Sequence, residues 1–183
     1  MVSKKYVGDY RLENIKDRKG RLKTVPVYRG PLFRFQADAE TLKKAKLRFL
    51  VLNVIAAAAL LITLLLKSEL LQRVYVIMPL ILSLLPMVLL WSGLYHLFSA
   101  GASVRRDQSD RIHHRFAGWS VVLLALSVLS LSGQIAAYAS GSSADGIPVT
   151  VCTIVLIVCA ALIFAGKDSL QMEEIPSSDS HSH

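Results

Sequence analysis

VYVIMPLILSLLPMVLLWSGLYHLF, residues 74–98, runs for 25 residues without a single Asp, Glu, Lys or Arg. A helix rises about 1.5 Å per residue, so this stretch exceeds the roughly 30 Å thickness of a bilayer's hydrocarbon core. A barrel strand would be about half as long and would alternate in polarity, which this stretch does not. Inside lipid the backbone must satisfy its own hydrogen bonds, which leaves a helix as the structure for such a segment.

Three more stretches repeat the pattern: Leu47–Leu66 (LRFLVLNVIAAAALLITLLL), Phe116–Ser140 (FAGWSVVLLALSVLSLSGQIAAYAS) and Ile147–Gly166 (IPVTVCTIVLIVCAALIFAG). The sequence therefore predicts an all-α membrane protein, a four-helix transmembrane bundle. Composition agrees: 53% of the 183 residues are hydrophobic and 19% charged, against about 45–50% and about 25% in soluble domains. This argues against a secreted disulfide scaffold, a disordered chain and an ordinary cytosolic enzyme. The first apolar run starts after 46 residues and is too long for a cleaved signal core, so it reads as a retained signal anchor.

Charge suggests how the chain is threaded. Residues 1–46 hold 13 basic and 5 acidic side chains, the whole net charge of +8. The link between the second and third spans carries Arg105, Arg106, Arg111 and Arg115, whereas the other two links are poor in Lys and Arg. Basic residues gather on the cytoplasmic side, so both termini and the central link are expected there, in a plasma or bacterial inner membrane. Trp91, Tyr95, Phe116, Trp119 and Phe164 would then form an inner aromatic belt, with Tyr75 and Tyr138 at the outer boundary. Short outer links make spans one and two, and three and four, expected antiparallel neighbours.

The chain divides into a basic arm (residues 1–46), the spans (47–166) and a tail (167–183) read as disordered from its polar, acidic composition. Within the arm, Tyr6–Ile15 and Arg21–Tyr28 flank the polar turn Lys16–Gly20, the composition of a β-hairpin with Pro26 on an edge. Such a hairpin needs a surface to lean on. Asp38 is the expected N-cap of the first helix. Lys43, Lys44, Lys46 and Arg48, together with Arg105, Arg106, Arg111 and Arg115, are candidate contacts to anionic headgroups or to a partner protein. Topology alone explains a cluster beside the first span, while the rest of the arm is long enough for docking. No nucleic-acid motif is visible.

Three groups of residues carry chemistry. His96, Asp110, His113 and His114 have the donor types of a divalent-metal site, although adjacent histidines on a helix diverge by about 100°. Asn53, Ser120, Ser127, Ser130 and Gln134 are polar side chains within the spans, and Pro79 and Pro86 bend the second. They fit a narrow transport path or interhelical packing, and packing is the commoner use of such groups. Cys152 and Cys159 stand about 10.5 Å apart along one helix, beyond disulfide reach, and with Gly166 they mark a small-residue seam facing either span one or a second protomer. No cofactor loop or nucleophile elbow is present. The leading expectation is a non-enzymatic accessory or scaffold subunit with a membrane-protein partner or a second copy, no cofactor, and docking through the arm. A small oligomeric transporter or channel comes second, and a metal-dependent membrane enzyme third.

Overall fold

The computed structural model describes residues 9–16, 22–28, 30–36, 38–100, 104–141, 146–170 and 172–175. Among these residues, four helical stretches are long and apolar enough to cross a membrane: Glu40–Leu65, Val74–Ser99, His114–Ala139 and Ile147–Leu170. The underlying helices are α1 (Ala39–Leu65), α2 (Val74–Leu82), α3 (Leu84–Ser99), α4 (Arg106–Ala139) and α5 (Ile147–Gly166). Their exposed large side chains are mostly Leu, Val and Ile, as a lipid-facing surface requires.

The second span is two helices because of its prolines. Pro86 has no N–H to give the carbonyl four residues back, and its ring crowds that carbonyl, so the chain breaks at Ser83. At the break Ser83 donates both its N–H and its hydroxyl to the Pro79 carbonyl, at 3.0 and 2.8 Å. Pro79, Ser83 and Pro86 are all buried, so the bend faces the bundle interior.

Helix α4 is the hub, packing against α5, α3 and α2, while α1 packs chiefly on α5. The α1–α5 contact is the small-residue seam. Ala56 and Ala160 are fully buried, and a Cβ on Gly166 would lie 3.1 Å from the Phe49 ring. Of its two expected partners, the seam faces span one. The predicted adjacency of spans one and two holds along α3 and barely along α2. Between α1 and α2 the short link folds inward as a 3-10 turn, Glu69–Gln72, and buries Leu70 and Leu71.

The hairpin is present. β1 (Tyr10–Lys16) and β2 (Leu22–Tyr28) pair antiparallel from Tyr10↔Tyr28 to Lys16↔Leu22. Most of the turn expected over Lys16–Gly20 lies outside the described residues. Pro26 opposes Leu12 in a ribbon of two edge strands, where its missing donor interrupts no second ladder.

A second sheet is present that no local sequence pattern announces. It joins β3 (Leu32–Phe35), β4 (Val104–Arg105) and β5 (Met172–Glu174) in the order β4-β3-β5, with both pairings antiparallel. The arm, the central link and the tail thus meet at one end of the bundle. The tail departs from its expected disorder over its described part: Lys167–Leu170 forms a 3-10 turn and residues 172–175 hydrogen-bond to β3. Buried Leu170 and the packing of Met172 on the core outweigh the polar composition around them.

Two details also depart from expectation. Asp38 stands at the N-cap of α1, but its side chain makes no cap bond, and only its carbonyl accepts, from the Leu42 N–H at 2.8 Å. Phe116 is not a belt residue. It is fully buried, with its ring centroid 4.9 Å from that of Phe49, because a ring without a polar tip gains more from the core than from the interface.

Candidate functional site

The sheet end of the bundle gathers most of the residues singled out by their chemistry. Tyr28 joins the hairpin to it. Its hydroxyl donates to the Pro31 carbonyl at 2.8 Å and accepts from the Arg106 N–H at 3.1 Å. The Arg105 guanidinium lies 5.4 Å from the centroid of its ring. One aromatic side chain therefore touches β2, the turn before β3 and the start of α4, which supplies the surface a two-stranded hairpin needs. Close packing follows at Gly30, where a Cβ would lie 2.7 Å from both the Asp9 Cβ and the Tyr28 hydroxyl.

Beneath the sheet is a cavity of about 280 Å³, lined by Phe33, Gln36, Ser109, Asp110, His114, Leu170 and Met172. Its apolar lining is Phe33, Leu170 and Met172, and one wall is the first turns of α4. Asp110 and His114, four residues apart, share a helix face and both reach this wall. His96 is not in the lining; its ring stands edge-on to Tyr95, with centroids 5.8 Å apart. The His113 side chain lies outside the described residues. Two of the four candidate metal ligands are therefore brought together, and among the described residues no group of three His, Cys, Asp or Glu converges.

The candidate cations differ in their surroundings. Lys44 pairs with Glu40 at 2.8 Å on the exposed face of α1, and Arg115 donates to the Ser92 hydroxyl across α4 and α3. Lys43, Arg48, Arg105 and Arg106 are exposed. Lys46 is half-buried, with Nζ 3.4 Å from the Ala100 carbonyl and 5.9 Å from the ring centroids of both Phe35 and Phe98. The Arg111 side chain lies outside the described residues.

Within the spans, Asn53, Ser83, Ser120, Ser127, Ser130, Gln134 and Thr153 are all fully buried. Their hydroxyl protons go to backbone carbonyls. Ser120 and Ser127 donate within α4, Thr153 donates to Val149, and Ser130 crosses to the Val76 carbonyl at 3.1 Å. Gln134 Nε2 donates to Thr153 Oγ1 at 2.9 Å and to Ser130 Oγ at 3.4 Å, joining α4 to α5. Since both hydroxyl protons are already committed, the amide has to present its NH2 to them. That orientation leaves Gln134 Oε1 as a buried acceptor without a donor among the described residues, and Asn53 Oδ1 is in the same state.

The unmet acceptor sets the sign of one prediction. Gln134→Leu removes two donated bonds but leaves no hydroxyl proton unpaired, and it also removes the unmet acceptor. Interhelical bonds of this kind average about 0.6 kcal/mol, so unfolding in mild detergent is expected to shift by about 1 kcal/mol or less. A loss several times larger would show that the polar cluster holds the bundle together.

Two features are not fixed by local sequence pattern alone. The cavity depends on Phe33 of β3 and Met172 of β5, strands of four and three residues. The other is a row of small residues on the outer face of α4: Gly118, Ala125, Ser132 and Ala139, seven apart and all exposed. The spacing is visible in the sequence, but which face it occupies is not. Comparisons of the chain with protein-family models, with curated proteins and with solved structures find no match.

Proposed function

We propose that the protein is a non-enzymatic scaffold or accessory subunit of a membrane complex, threaded with both termini on the cytoplasmic side of a plasma or bacterial inner membrane. One observation carries the reading. The arm, the central link and the tail are knitted into a single sheet at one end of the bundle, with the hairpin mounted on it through Tyr28. Setting topology requires only basic side chains beside the spans. Ordering three separate segments costs roughly 1–2 kcal/mol of backbone entropy per residue, and a docking surface is a use that repays it.

The interior supports the same reading. Its hydroxyls are engaged with backbone carbonyls and its one long polar side chain links two helices, which is what a packed bundle does with polar groups. A transport path draws less support, since its residues are fully buried. The small-residue row on α4 would let another membrane helix approach closely, and a Cβ at Gly118 would meet no atom within 4 Å. The enzyme reading rests on Asp110 and His114 alone.

Crosslinking in native membranes, followed by purification in mild detergent, tests the proposal. The intact chain is expected to retain one defined membrane protein, and deletion of residues 1–36 is expected to reduce that retention to background while the four spans still insert. Recovery of the intact chain only as an isolated monomer, with a dispensable arm, would sink it.

A further inference from the structure

Four described cations at the sheet end already have a use. Lys44 has Glu40, Arg105 has the Tyr28 ring, Arg115 has Ser92, and Lys167 lies 3.9 Å from the Phe164 ring centroid. Arg48 is exposed near the start of the apolar run, where a long basic side chain snorkels towards phosphates without needing a built site.

Lys46 is different. Its ammonium sits in a corner made by three groups: the carbonyl of Ala100 just past α3, the Phe35 ring of β3 and the Phe98 ring of α3. The carbonyl takes one of its three N–H donors, and the two rings lie near the outer limit of cation–π attraction. No carboxylate comes within ion-pair distance of it among the described residues. Lys43 lies one turn earlier on the same helix face, exposed and likewise without an ion pair among those residues. Here, then, are a fixed ammonium with donors to spare and a second cation within one helical turn of it.

Depth selects the ligand. Lys46 immediately precedes the apolar run Leu47–Leu66, so its ammonium stands at headgroup level whichever way the chain is threaded. Phe98 is 50% exposed, and Trp91 and Tyr95 on the same helix are exposed as well, offering an apolar wall below the ammonium. We propose that Lys46 and Lys43 form a site for the phosphate of one anionic phospholipid, whose upper acyl chain lies against α3. The site does not depend on the scaffold reading: a lipid can be held whether or not a protein partner docks.

The test uses the full chain in nanodiscs of phosphatidylcholine alone or mixed equally with phosphatidylglycerol. Lipid retained after detergent extraction is counted by native mass spectrometry. One phosphatidylglycerol is expected to be retained in preference to phosphatidylcholine. Lys46→Gln is expected to weaken that preference about fivefold, the effect of one cation near a membrane surface, and Lys46→Arg to preserve most of it. Lys44→Gln, which removes a cation already paired, should leave it unchanged. Circular dichroism on each variant separates loss of the site from loss of fold, because Lys46 also caps the end of α3. Equal retention of the two lipids overturns the proposal. So does a Lys44→Gln loss as large as that of Lys46→Gln, which would mean diffuse charge alone. Displacement of the lipid by inorganic phosphate would assign the site to the free anion and also count against the proposal.

Discussion

Gly133→Leu is expected to destabilise the bundle by about 3 kcal/mol, the upper part of the usual range for overpacking a filled interior. A Cβ at Gly133 would lie 2.9 Å from the Tyr75 carbonyl oxygen and 3.0 Å from its ring. The carbonyl belongs to the first turn of α2 and has no rotamer into which it can retreat. The helices must therefore separate, and separation also stretches the Ser130 bond to the Val76 carbonyl, the next residue along α2. Gly118 on the same helix is the control, since a side chain there would meet nothing within 4 Å. Gly118→Leu should leave stability unchanged, and thermal unfolding in a mild detergent measures both variants. Equal effects at the two sites would mean that α2 and α4 do not approach as closely as Gly133 implies.

What the sequence made legible follows from the range of each signal. A span is announced by some 20 consecutive residues, which no local accident imitates, so the four helices could be read directly. The hairpin was readable for a similar reason: its strands are neighbours in the chain, with turn residues between them. The second sheet had no comparable announcement. β3 finds Val104 and Arg105 about 70 residues away and Met172–Glu174 about 140 residues away, and strands so short show no period. The candidate site inherits this limit. Asp110 and His114 stand four residues apart in the sequence, but the Phe33, Leu170 and Met172 that make their surroundings a cavity come from two distant segments. Phe116 failed for another reason. Its place near a span boundary suggested the belt, whereas the direction it faces depends on where Phe49 stands across the bundle.

Ending the chain after Leu170 is expected to leave the four helices standing and to release the arm. β5 supplies three of the five residue pairings that β3 makes, Phe33↔Glu174, Arg34↔Glu173 and Phe35↔Met172, and the Ile175 N–H donates to the Leu32 carbonyl at 2.8 Å. Without β5, β3 keeps only the two-residue β4, and a lone pair of strands is marginal in water. Leu170 stays buried in the shortened chain, so the floor of the bundle survives and the unfolding midpoint should not move. Arg34 reports the change because it lies in the middle of β3, where trypsin can cut only if the strand opens. Each lost backbone hydrogen bond contributes about 0.5–1.5 kcal/mol, so losing two or three raises the open population, and with it the cleavage rate, at least about fivefold. Unchanged cleavage at Arg34 would mean that β5 is not what holds β3. If cleavage accelerates while partner retention persists, the hairpin docks without its platform. A parallel fall in both would tie docking to the joining of three distant segments at one end of the bundle.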